Sequence, residues 1–191
     1  MARRFSFRPA LTLKGRRRLG LRGFTGKPFH PPLTDVPIGA YMLAAGGDAL
    51  SWLWRDASWS QEMFHAATWV LIGGAIVSLG TALTGFMDWL RSTPKGTQAR
   101  RTANAHGITM LAVTGLVLID IVVRLGAWDD AATSLPILVL TLVAAGLTFL
   151  GAAIGGSLVF DYGFNVRTAG DSPAWHESDI DLMPGQKPPA G

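Results

Sequence analysis

The chain has 191 residues, 49% of them hydrophobic and 16% charged, with a mean hydropathy of +0.29. That balance excludes an ordinary water-soluble domain, and it excludes disorder, which needs low hydrophobicity and high charge. With no cysteine in the sequence, disulfides, thiolate metal sites, iron–sulfur clusters and thiol nucleophiles are excluded too.

The net charge of +4 is unevenly spread. Arg3, Arg4, Arg8, Lys14, Arg16, Arg17, Arg18, Arg22 and Lys27 all precede the first acid, Asp35. Residues 1–26 are therefore expected to form a basic arm lying on the cytoplasmic side against anionic lipid. Nucleic acid is not expected as a partner, because no groove-reading motif or aromatic-interleaved basic surface follows. The Arg3-Arg4 pair does not open an export signal, since Arg8, Lys14, Arg16, Arg17 and Arg18 occupy the stretch where an apolar core would lie.

Crossing a hydrocarbon core of about 30 Å takes roughly 20 helical residues. Four stretches qualify, at about 37–54, 63–90, 103–125 and 134–160, within a membrane domain spanning 27–166. The second is uncharged over 66–87 and the fourth over 134–160, whereas the first carries Asp48 and the third Asp120 and Arg124. The fold class expected is all-α, an integral membrane four-helix bundle. The loop holding Arg91, Lys95, Arg100 and Arg101 is basic, while the other two loops hold Arg55, Asp56 and Glu62, and then Asp129 and Asp130. Basic loops stay inside, so both termini are expected to be cytoplasmic in a multi-pass protein of a bacterial inner membrane. Trp52, Trp54, Trp59, Trp128 and Trp89 stand at span ends, where indoles favour the headgroup boundary. Gly73, Gly74, Ser78 and Gly80 on the second span, and Gly146, Gly151, Gly155 and Gly156 on the fourth, supply the small residues that let membrane helices approach. Residues 167–191 read as a polar cytoplasmic tail.

Ionisable groups inside a membrane face the bundle interior and find partners. Towards the outer side lie Asp48, His65, Asp120 and Arg124. Asp120 and Arg124 are spaced i,i+4, as an ion pair on one helix face requires, and Asp48 reaches comparable depth on a parallel span. The simplest expectation is an ion pair locking helices; a proton or ion carrier using the same three residues is the alternative. At the inner ends of the spans gather His30, Asp35, Asp88, Arg101, Asn104 and His106. Asp35 is expected to cap the first helix, with Pro37 in its first turn. Asp88 is expected to meet Arg101 or a neighbouring arginine. His30 and His106 open spans that run in the same direction, so two imidazoles arrive at one depth. They could ligate a b-type haem, or join Asp88 around a divalent metal.

Three blocks carry a family resemblance. The first is Gly26-Lys27-Pro28-Phe29-His30-Pro31 with Val36-Pro37-Ile38-Gly39; the second is Gly85-Phe86-Met87-Asp88-Trp89, then Gly96-Thr97-Gln98-Ala99-Arg100-Arg101 and His106-Gly107. The third is Gly155-Gly156-Ser157-Leu158-Val159-Phe160-Asp161-Tyr162-Gly163-Phe164-Asn165-Val166. In this order they resemble the bacterial membrane-protein family called domain of unknown function 2231, over about residues 26–166. Lys27 stands where members often carry a second histidine. The resemblance implies an electron-transfer setting, since some relatives are similar to fusions with Rieske-type or cytochrome c domains. Residues 175–186 faintly resemble a first Rieske strand, but a chain without cysteine cannot hold that cluster.

No nucleophile elbow, HExxH or Walker loop is present, so enzymatic catalysis is not expected. The reading is of an accessory or assembly subunit of a larger membrane complex, with a haem- or quinone-associated electron-transfer role.

Overall fold

The computed structural model describes residues 28–164 and 166. The basic arm and the C-terminal tail expected from the sequence lie outside the described residues. Among these, the elements are four α-helices: α1 (His30–Leu53), α2 (Ser60–Ser92), α3 (Gln98–Gly126) and α4 (Leu135–Phe160). Short connections make successive helices antiparallel. Each packs on its chain neighbour, α1 also packs on α4, and α2 and α3 touch least.

The distribution of side chains is that of a protein solvated by lipid. Val36, Leu43 and Leu50 follow one another at seven-residue spacing along an exposed face of α1, and exposed Ile76, Leu79 and Leu83, Leu118 and Val122, and Leu142 and Phe149 do the same service on the other helices. Asp48, Thr68, Asp88, Asp120, Arg124, Thr141 and Thr148 are buried. In water this arrangement would expose apolar surface and spend free energy on sequestering charge. In a bilayer the outer face costs nothing, and the polar groups must turn inward. The helices α2, α3 and α4 are long and apolar enough to cross a membrane. α1 falls outside that group, as Asp35, Asp48 and three prolines dilute its apolar residues, yet it lies in the same bundle with its own apolar outer face.

The start of α1 corrects one expectation. The helix begins at His30, with proline in its first turn, where a missing N–H costs no hydrogen bond. Pro37 therefore sits inside the helix, and Asp35 is exposed on it rather than capping it; the N-cap is Phe29, which makes no side-chain cap bond. An internal proline frees the carbonyl four residues earlier. That carbonyl, of Leu33, accepts from the Thr81 hydroxyl of α2 at 3.2 Å, so a neighbouring helix repairs the ladder.

Close packing is local. An ideal Cβ placed on Gly74 would stand 2.6 Å from the Ala40 Cβ, and one on Gly47 would stand 3.1 Å from the Ala67 Cβ, which marks where α1 and α2 meet backbone to backbone. On α4, Gly151 faces Met110 and Gly155 faces His106. Gly73, Gly80 and Gly146 have nothing within 4 Å of such a Cβ, so they take no part in these approaches. Tyr41, Ala44, Ala67, Leu71, Val113, Val117 and Ala144 fill the centre.

Candidate functional site

Towards the end of the bundle where α1 and α3 begin, the first turn of α1 and the third turn of α3 bring two histidines together. The His30 and His106 rings have centroids 6.3 Å apart and planes at 83°. His30 Nδ1 lies 3.0 Å from the Thr81 carbonyl oxygen of α2, and His106 Nδ1 lies 2.8 Å from the Gly151 carbonyl oxygen of α4. Both carbonyls accept, so each ring carries a proton on Nδ1, and Nε2 is the nitrogen left outside these bonds. Glycine seats both rings: a Cβ on Gly85 would come within 2.7 Å of His30 Cε1, and one on Gly155 within 3.0 Å of His106 Cε1.

A backbone acceptor on the far nitrogen fixes the tautomer and the ring orientation. Two rings that each bind one metal ion through a single nitrogen at about 2.0–2.1 Å have centres roughly 6 Å apart. The donor set, two neutral imidazoles with no thiolate, suits a b-type haem. Among the described residues no three His, Asp or Glu side chains gather to hold a bare metal ion.

The rest of the inner group is spread around this end. Asp88 is buried near the end of α2. Asn104 accepts from Trp89 Nε1 at 2.7 Å, and Arg101 donates to the Gly96 carbonyl at 3.4 Å. Arg100, which sequence reasoning left among the loop charges, lies 3.5 Å above the Trp89 ring and donates to the Trp89 and Thr93 carbonyls at 2.7 and 3.1 Å. These contacts tie the α2–α3 connection to the bundle. Asp35 points away from the pair, on the exposed face of α1.

The outer group is a closed network with all three charged side chains at 0% exposure. Arg124 Nε donates to Asp120 Oδ1 at 3.0 Å, and its Nη1 and Nη2 form a fork on Asp48, Nη1 to Oδ1 at 3.0 Å and Nη2 to Oδ2. The remaining N–H bonds reach Thr68 Oγ1 of α2 at 3.2 Å and Thr141 Oγ1 of α4 at 2.6 Å. Thr133 donates to Asp48 Oδ1 at 3.1 Å. The Thr141 hydroxyl lies 2.7 Å from Asp48 Oδ2 and 2.9 Å from Asp120 Oδ2, and its one proton can serve a single carboxylate at a time. Thus the five donors of the guanidinium are all used, and side chains from all four helices meet at one cation. The threonines were not foreseen, because a helical threonine that donates to its own preceding turn looks the same in sequence.

Near this end the α3–α4 connection is latched to α2. The His65 ring stacks on Trp128 with centroids 4.0 Å apart, its Nε2 lies 2.8 Å from the Trp128 carbonyl, and Gln61 donates to the carbonyls of Asp129 and Asp130. Ser51 and Ser60 exchange hydrogen bonds with each other's carbonyls at 2.8 and 2.7 Å, joining the ends of α1 and α2.

Comparison with known proteins finds the family described as "Predicted membrane protein (DUF2231)" matching residues 26–168. No curated protein and no solved structure matches the chain.

Proposed function

The chain belongs to the DUF2231 family of membrane proteins, and we propose that it is an electron-transfer subunit whose bundle holds a b-type haem between His30 and His106. The observation that carries this reading is the pair itself: two imidazoles 6.3 Å apart, from opposite corners of the bundle, each with Nδ1 on a backbone carbonyl of another helix. Bound there, a haem would supply one-electron chemistry in the membrane. His30 and His106 would hold the group, their rings oriented through the Thr81 and Gly151 carbonyls, and the surrounding apolar helices would exclude water. Gly85 and Gly155 keep the space beside the rings free of side-chain bulk.

The test is spectroscopic. Protein purified in mild detergent after expression with haem precursor is expected to show a Soret band and, on reduction, the resolved α and β bands of a low-spin haem with two nitrogen ligands. His30→Ala and His106→Ala should each lower haem content at least tenfold, while Asp35→Asn leaves it unchanged. A colourless wild type would leave a cofactor-free scaffold as the better reading, and wild-type haem content in both histidine variants would show that this pair does not hold the haem.

The proposal extends to setting. All four helices cross a bacterial inner membrane, and the chain works as an accessory subunit beside a larger membrane complex. The charge asymmetry of the loops supports this orientation. A cysteine introduced at Ala127 should react with an impermeant maleimide from outside intact cells, and one at Gly96 only after lysis; the reversed pattern would invert the topology. The outer network supports a locking role over ion carriage, because every donor of Arg124 is already satisfied within the protein.

A further inference from the structure

The outer network has fewer hydrogens than its contacts require. Arg124 Nε gives its hydrogen to Asp120 Oδ1. Nη1 gives one to Asp48 Oδ1 and one to Thr68 Oγ1, and Nη2 gives one to Asp48 Oδ2 and one to Thr141 Oγ1. Asp120 Oδ2, also near Nη2 but at 3.4 Å, is left without one. Thr68 directs its own hydrogen to the Phe64 carbonyl, and Thr133 directs its to Asp48 Oδ1. What remains is the Thr141 hydroxyl, which lies 2.7 Å from Asp48 Oδ2, 2.9 Å from Asp120 Oδ2 and 2.9 Å from the Ile137 carbonyl. A hydroxyl has one hydrogen. Whichever acceptor it serves, at least one carboxylate oxygen faces the Thr141 lone pairs with no hydrogen between them.

The charges do not balance either. Asp48, Asp120 and Arg124 are all at 0% exposure, and among the described residues Arg124 is the cation paired with either carboxylate. Two ionised carboxylates against one guanidinium leave a net negative charge in the interior of the bundle, where isolated charge is costly and a carboxylate takes up a proton instead. The surroundings offer no other compensation. α2 presents Phe64 and Thr68, α4 presents Thr141, the α3–α4 connection presents Thr133, and the His65 ring is stacked on Trp128. Between the two acids the bonding is unequal. Asp48 accepts from both Arg124 terminal nitrogens and from Thr133, as an ionised group does, whereas Asp120 accepts at Oδ1 and has its Oδ2 turned to a hydroxyl oxygen.

We propose that the network is a proton-binding site: Asp120 holds a proton on Oδ2 and donates it to Thr141 Oγ1, while Thr141 donates to Asp48 Oδ2. Each contact between that hydroxyl and a carboxylate then contains one hydrogen, and the three ionisable groups sum to zero charge. The ligand is the proton itself. Its loss returns one net charge to a sealed site to which all four helices contribute. The site is independent of the haem reading.

The experiment uses the full chain in detergent at neutral pH. Asparagine at position 120 copies the protonated carboxyl, its oxygen accepting from Arg124 Nε and its amide donating to Thr141, so Asp120→Asn is expected to melt at the parent temperature. Asp48→Asn instead turns an amide N–H towards the N–H groups of Arg124, and should lower the melting temperature by roughly 10 °C. The proton is read directly by infrared spectroscopy: the parent should show a carboxylic-acid C=O stretch that shifts down when the protein is prepared in heavy water and is missing from Asp120→Asn. Should Asp48→Asn fail to fold, the infrared comparison of the parent with Asp120→Asn decides. An identical carboxylic-acid band in Asp120→Asn, or Asp120→Asn melting as far below the parent as Asp48→Asn, would overturn the site. So would the reverse order of the two variants, which would put the proton on Asp48.

Discussion

Arg124→Met is expected to cost roughly 3–5 kcal/mol of stability, enough to leave most of the protein unfolded or aggregated in detergent. The side chain lost is close in length and apolar, so packing changes little. What remains is Asp48 and Asp120 facing each other in a site sealed from solvent, with Thr141 Oγ1 between them at 2.7 and 2.9 Å. Two carboxylates without their cation must be neutralised or driven apart, and driving them apart separates α1 from α3. The effect is one of a stranded charge, so it should be largely reversed by removing the other charges as well: D48N/D120N/R124M is expected to recover most of the loss. Thermal unfolding followed by circular dichroism, with gel filtration to monitor aggregation, measures both variants. A single Arg124→Met variant that melts beside the parent would show that the network contributes nothing, and would reopen the carrier alternative, to be checked by ion flux in proteoliposomes.

The second large effect is expected from a single methyl group. Gly74→Ala places a Cβ 2.6 Å from the Ala40 Cβ and 3.1 Å from Tyr41 Cε1. Ala40 Cβ is fixed to its backbone and cannot rotate aside, so α1 and α2 must move apart along their closest approach. Overpacking of this kind costs about 1–3 kcal/mol. The adjacent Gly73→Ala meets nothing within 4 Å and should gain up to about 1 kcal/mol from the better helix propensity of alanine. The two variants differ by one position and carry the same chemical change, so propensity and hydrophobicity cancel between them. Equal melting temperatures for the pair would mean that α1 and α2 do not pack as described.

Much of this architecture can be read from the chain. The uncharged runs within α2 and α4 announce spans by length, the i,i+4 pair Asp120 and Arg124 announces its own geometry, and antiparallel connection brings His30 and His106 to one end. Other features depend on rotational phase. Each residue turns a helix by about 100°, and a helix that is apolar on every side gives no internal sign of which face meets its neighbours. Hence the small residues of α2 could be recognised as a group, but Gly74 could not be separated from Gly73, nor could Asp35 be set on the outer face. The early start of α1 was hidden for a different reason. A proline at position 37 reads as a helix beginning unless the freed Leu33 carbonyl has an acceptable partner, and that partner, Thr81, comes from another helix.

The pairing of helices also bears on how the protein is assembled. α1 packs chiefly on α2, and α3 on α4, so the chain is made of two helical hairpins. Arg124 has Asp120 and Thr141 within its own hairpin, whereas the cation that balances Asp48 lies on the other one. During synthesis the first hairpin therefore reaches the translocon with an acid whose counter-charge has not yet emerged. Two fragments divided near residue 95 and produced together should reassemble through that ionic clasp, while the first fragment made alone should be cleared by membrane proteolysis.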